Sequence, residues 1–133
     1  MPGSFFDTNI LLYVVSGDAR KADRAMELIR QGGTISVQNL NEYANVARRK
    51  LGLPWERLHQ HLKALRAALD VVPATLSIHE HGLRIAQRYG LSMYDAMIVS
   101  AAMESDCGTL WSEDMHRNLR IDGMTIRNPF AST

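Results

Sequence analysis

Four carboxylates occupy positions from which they could act together. Asp7 follows the apolar run Ser4-Phe5-Phe6, and Asp114 follows Thr109-Leu110-Trp111 with two residues between. Asp95 opens the apolar segment Ala96-Met97-Ile98-Val99, and Glu42 lies in the helical pattern that comes after Thr34-Ile35. Carboxylates crowded within a few Å repel and raise one another's pKa unless a cation neutralises them. A set of oxygen ligands selects a hard ion such as Mg2+ or Mn2+ over Zn2+. No compact His/Cys set competes: His59 and His61, like His79 and His81, are two apart, which splays each pair on a helix and makes surface histidines of them.

Each acid also has a local explanation. Asp7 can cap a helix starting at Thr8, and Ser92-Met93-Tyr94-Asp95 has the form of a capping box. Ser112-Glu113-Asp114 can cap a helix with two acids suited to its dipole. Glu42 shares a polar stripe with Gln38, Asn45 and Arg49, opposite Val37, Leu40, Ala44 and Ala47. A cap is worth on the order of 1 kcal/mol, sufficient reason for any one of these residues taken alone. The case for chemistry rests on all four meeting at one place.

The elements that would bring them together are legible as short signals. Ser4–Phe6 reads as a buried strand, followed by a helix over 8–15 and a second from Asp18 to Arg30 that Gly32-Gly33 stops. Thr34-Ile35 is a minimal strand, and Ser36 caps a helix running to Lys50. Pro54 suits a helix start, and Trp55, Leu58, Leu62, Leu65 and Leu69 recur at helical spacing as a core stripe. Val71-Val72 is a strand fragment; helices follow over 77–89 and 92–105, then strands at Thr109–Trp111 and Met124–Ile126. Strands alternating with helices, with no hairpin turn signature, indicate an α/β domain around a parallel sheet. In such a sheet ligands gather at the carboxyl ends of the strands, the rim to which Asp7, Asp95 and Asp114 would be brought.

Composition bounds the rest. A chain of 133 residues is the size of one domain and buries roughly two thirds of its unfolded surface, so it needs no disulfide or structural metal to fold. A hydrophobic content of 46% with 22% charged residues excludes a disordered chain. The single Cys107 fits a reducing cytosol, and the absence of a basic n-region and of any apolar run near ~20 residues predicts a cytoplasmic protein with no membrane anchor. Fifteen Lys and Arg against fourteen Asp and Glu leave a net charge of +1, too little for nucleic-acid binding by bulk charge alone. Local patches are the alternative: Arg48-Arg49-Lys50 either guides phosphates or complements a helix C-terminus. Arg20, Lys21 and Arg24 read as solvated. The segments Ile10–Val15 and Ala96–Met103 are apolar nearly all round, so part of each calls for cover from another chain.

Phe5-Phe6-Asp7-Thr8-Asn9-Ile10-Leu11-Leu12-Tyr13 resembles the opening of PIN-domain proteins, and among them the VapC-type toxins of type II toxin–antitoxin pairs. The resemblance continues through Ser36–Tyr43, Leu91–Val99, Leu110–Met115 and Ile121–Phe130, in order and over essentially the whole chain. It implies one PIN domain over residues 1–133, a three-layer α/β/α fold with a short, mainly parallel central sheet, and a Mg2+-dependent endoribonuclease, with Mn2+ able to substitute. Asp7, Glu42, Asp95 and Asp114 match the family's acidic positions, with Asn9 and Ser112 in support; Glu113 stands beside Asp114 as an alternative to it. Our assignment from these matches gives Asp7, Asp95 and Asp114 to metal and Glu42 to the attacking water, with Arg48 and Arg49 as candidate RNA contacts. The resemblance further implies a homodimer and a VapB-type antitoxin. Two rivals differ in class. A phosphoryl-accepting receiver-like domain needs a late Lys, and Lys occurs only at positions 21, 50 and 63; a catalytically silent PIN-like module binding RNA or protein would leave the acids structural.

Overall fold

The computed structural model describes residues 3–115 and 118–131. The chain runs β1 (Gly3–Phe6), α1 (Thr8–Tyr13), α2 (Ala19–Arg30), β2 (Thr34–Ser36), α3 (Val37–Arg49), α4 (Trp55–Ala68), β3 (Asp70–Val72), α5 (Leu76–Tyr89), α6 (Met93–Glu104), β4 (Cys107–Trp111), β5 (Arg120–Ile121) and β6 (Met124–Arg127). The strands form one sheet in the order β3-β2-β1-β4-β6-β5, parallel throughout except for β5 against β6.

Strand alternation divides the core. Phe5 and Phe6 are both fully buried, but they point to opposite faces. Phe6 joins Ile10, Leu11, Leu28, Tyr43 and Leu58 under α1–α4; Phe5 joins Ile85, Ile98, Val99 and Leu110 under α5 and α6. The result is the expected three-layer α/β/α arrangement. Burying one such Phe side chain contributes roughly 2–3 kcal/mol. Gly33 lets β2 approach β1: it holds φ at +152°, and a Cβ there would lie 2.6 Å from the Phe6 ring and 2.8 Å from the Ser4 carbonyl oxygen.

The strand order creates a crevice. From β1 the chain steps outward through β2 to β3, then crosses back to place β4 on the other side of β1. The carboxyl ends of β1 and β4 therefore flank the point where the winding reverses, the usual ligand position in an open α/β sheet. Asp7 and Ser112 leave those two strands side by side, with the Asp7 N–H donating to the Trp111 carbonyl at 2.9 Å.

Several expectations are corrected. The chain does contain a hairpin: Asp122-Gly123 joins β5 to β6 with φ of 45° and 87°, the left-handed pair of a tight turn. Helix α1 stops at Tyr13, where the Ser16 hydroxyl donates to the Tyr13 carbonyl at 2.8 Å. The apolar helix α6 is covered within the chain by α5 and the sheet. The buried Gly82 of α5 sits against Met97, and the Ser100 hydroxyl donates to the Ile78 carbonyl at 2.8 Å. In the α4 stripe Leu58, Leu65 and Leu69 are core, but Trp55 is exposed. No helix among the described residues is long and apolar enough to cross a membrane.

Candidate active site

Asp7 is the most deeply placed of the four acids. It caps α1 with extended backbone (φ −69°, ψ 151°), and its Oδ1 accepts from the Thr8 N–H at 2.8 Å. The Ser112 hydroxyl, from the end of β4, donates to its Oδ2 at 2.9 Å. Burial is the dominant influence and pushes its pKa up to about 6. The hydrogen bonds from Ser112 and Thr8 oppose that rise, and the charges of Asp95 and Glu42 reinforce it. Each Asp7 oxygen keeps a lone pair beyond the one donor it accepts.

Asp95 enters from the first turn of α6, which Ser92 caps by accepting the Asp95 N–H at 3.2 Å. The capping here runs in that direction, from Ser92 to the Asp95 backbone. Burial raises the Asp95 carboxyl, a hydrogen bond of its own side chain with Ser92 lowers it, and the charge of Asp114 raises it again. Glu42 is half-buried on α3; the Gln38 amide donates to its Oε1 at 2.8 Å and to the Tyr94 carbonyl at 3.2 Å. Gln38 thus ties the Glu42 helix to the residue before Asp95. Asp114 is exposed, and the Asn9 amide of α1 donates to its Oδ2 at 2.6 Å.

Electrostatic influence links these acids in pairs: Asp95 and Glu42 act on Asp7, and Asp114 acts on Asp95. Asn9 and Ser112 serve two of them directly. All the donors that orient these acids are neutral, and the ion pairs among the described residues lie elsewhere, at Lys21–Glu113, Arg24–Glu27 and His81–Glu104. The four are held in place without being neutralised. Among the described residues no group of three or more Asp, Glu, His or Cys side chains is placed to hold a metal ion together. The donor chemistry suits a hard divalent ion that keeps several waters, as Mg2+ does, better than one enclosed by protein ligands.

Glu113 and Asp114 separate cleanly. Glu113 turns away to accept from the Tyr13 hydroxyl and the Lys21 ammonium. Burial pushes its carboxyl up, but the bonds from Lys21 and Tyr13 outweigh it and hold Glu113 below its ordinary pKa. Lys21 also lies over the Tyr13 and Phe130 rings, while Arg24 donates to the Pro129 carbonyl at 3.2 Å and stacks near Trp111. These two basic residues are tethers for the 128–131 segment, not solvated charges. At the end of α3, Arg48 donates to the Leu53 carbonyl at 2.8 Å and packs on Trp55, a helix-end role; Arg49 is exposed. His61 is also engaged: its Nδ1 lies 2.9 Å from the Tyr43 hydroxyl, and burial, then the charge of Arg57, lowers its pKa.

Two residues went unassigned in the sequence reading. Gln38 is one. Asn39, fully buried, is the other: its Oδ1 accepts from the Ser36 N–H at 2.8 Å, and its amide donates to the Phe6 carbonyl and the Thr8 hydroxyl at 3.0 Å each. It locks α3 onto the β1–α1 junction that carries Asp7. Its sequence signal was an amide three residues beyond the Ser36 cap, the reciprocal position of a capping box.

The sequence profile of the PIN domain family matches residues 4–120. No curated protein sequence matches the chain. Among solved structures, the chain is similar to a toxin–antitoxin complex from Klebsiella pneumoniae, with TM-score 0.74 and 22% identity over 96% of this chain and 98% of that one. DNA-bound VapBC from Salmonella typhimurium gives TM-score 0.69 and 22% identity over 97% and 99% of the two chains. VapC20 of Mycobacterium tuberculosis, a toxin that cleaves the sarcin–ricin loop, gives 0.66 and 21% over 80% and 86%.

Proposed function

The chain belongs to the PIN domain family, and from that membership we propose that it is a metal-dependent endoribonuclease, the toxin of a toxin–antitoxin pair. The observation that carries the proposal is Asp7: a carboxyl buried in the β1–β4 crevice, pushed up to about 6 and flanked by the charges of Asp95 and Glu42. A carboxylate kept there with only neutral partners costs stability, and perturbed acids in a crevice are the mark of a functional site. The toxin–antitoxin assignment is supported by the likeness in fold to toxin–antitoxin complexes, VapBC of Salmonella typhimurium among them. On this reading the partners are an RNA substrate, a VapB-type antitoxin and a second copy of the chain.

Asp7 and Asp95 would hold Mg2+ or Mn2+ directly, with Asp114 holding a second ion or a coordinated water. Such an ion supplies a water of lowered pKa and neutralises charge on the phosphate. The chain's own contribution is orientation. Ser112 and Thr8 fix both Asp7 oxygens, Asn9 fixes Asp114, and Gln38 fixes Glu42. Glu42, the acid aimed from the helix wall, would accept the proton of the attacking water at its unbonded oxygen.

Incubating the protein with total RNA and Mg2+ or Mn2+, beside an Asp7→Asn variant, and mapping the new RNA ends tests this. Discrete ends from the native protein alone are expected. No cleavage by either protein, folded and free of antitoxin, would favour a silent binding module.

A further inference from the structure

Trp55 is 60% exposed although it is the first residue of a helix whose other large apolar side chains face inward. Its ring is held, not loose. The Arg48 guanidinium lies 4.2 Å from the ring centroid and is itself anchored by its bond to the Leu53 carbonyl. One ring face is covered by a fixed cation, and the remaining exposure leaves the other open. Around it the charge is basic, from Arg48, Arg49 and Lys50 at the end of α3.

The basic residues beside Trp55 end the same helix, α3, that carries Glu42. Arg49 follows Glu42 by seven residues, so the two share a face of α3 about 10 Å apart along its axis. A cleft of about 280 Å3 runs from Asn9, which holds Asp114, past Val46 to Leu51, just beyond the helix end.

We infer that Trp55, fixed by Arg48, is a stacking platform for an unpaired base of the RNA, with Arg49 and Lys50 contacting the adjoining phosphates. The inference rests on the ribonuclease reading of the site. An aromatic face accepts any base, and a guanidinium against its other side strengthens the stack. The platform would fix where the strand lies relative to the acids without taking part in cleavage.

The test measures binding of a fluorescein-labelled, unstructured oligoribonucleotide in an Asp7→Asn background with Mg2+, using inorganic polyphosphate as a base-free competitor. Trp55→Ala should weaken RNA binding about ten-fold, leave its salt dependence unchanged and leave polyphosphate binding unchanged; Trp55→Phe should restore most of the loss. Arg49→Gln should flatten the salt slope by about 0.7. Equal RNA affinity of Trp55→Ala and its parent, or equal weakening toward polyphosphate, overturns the platform; the first result is also what a protein segment seated on Trp55 would give. The native protein's cleavage of the same oligonucleotide reports separately on the ribonuclease reading. Cleavage with no effect of Trp55→Ala removes only the platform, whereas neither binding nor cleavage removes both.

Discussion

Glu113 and Asp114 are neighbours in the chain and have opposite fates. Glu113 is clasped by Tyr13 and Lys21 and held below its ordinary pKa, so its charge is matched. Asp114, like Asp7, Glu42 and Asp95, receives only neutral donors or faces other acids. The contrast extends to what each region does for the fold. The Glu113 cluster fastens the 128–131 segment through Lys21, Arg24 and the edge-on Tyr13–Phe130 pair, with ring centroids 5.0 Å apart. The acidic rim fastens nothing comparable and stores unfavourable charge. Glu113 carries a matched charge inside a fastening cluster, whereas no recorded ion pair among the described residues involves Asp7, Glu42, Asp95 or Asp114.

Removing the charge at Asp7 should separate the two roles most strongly. Asp7→Asn should lower RNA cleavage by about 10^2–10^4-fold, the range for a group acting at the reacting centre. In chelator the same variant should be more stable than the native protein at pH 7, by up to about 3 kcal/mol. Chemical denaturation checks this, and a destabilised variant would place Asp7 among the struts.

A pH titration sharpens the comparison. Because burial raises Asp7, the folded state binds its proton more tightly than the unfolded state. Its contribution to metal-free stability is therefore fully present below about pH 4 and is lost as pH rises to about 6. Mn2+ binding to the metal-free protein should move the other way, weakening as pH drops through about 6, because the Asp7 proton must leave before the ion can bind. Glu113, lowered by its partners, contributes in the opposite sense: its stabilisation is present above the ordinary carboxylate range and lost as pH falls through its depressed value.

Glu113→Gln should have a smaller effect. Its pair with Lys21 is partly exposed and screened, so Tm should fall slightly, more at low salt than at high. Cleavage should change far less than with Asp114→Asn. Equal losses from the two would mean that the neighbours share a function.

Much of this arrangement was legible before the fold. The strand at Ser4–Phe6, the caps at Asp7, Ser36 and Ser92, and the β/α alternation each rest on signals within a few residues. What was hidden depended on distant partners. Lys21 and Arg24 look solvated until Glu113, Trp111 and Pro129, about a hundred residues on, are placed against them. Adjacent carboxylates cannot be told apart by spacing; Tyr13 and Asn9 decide between Glu113 and Asp114. The β5–β6 hairpin is hard to read from sequence because β5 has two residues, too few to show alternation, and Asp122-Gly123 is its one turn signal.

We propose that the unmatched carboxylates form a metal site. The measurement that tests it most directly is thermal unfolding of the native protein and of Asp7→Asn, each in chelator and in millimolar Mn2+. A site bound only in the folded state stabilises it by about 2.7 kcal/mol at a hundred times its Kd. Mn2+ should raise the Tm of the native protein clearly and that of Asp7→Asn little or not at all, with Asp7→Asn the more stable of the two in chelator. An equal Mn2+ response in both proteins, or none in either, would contradict the account.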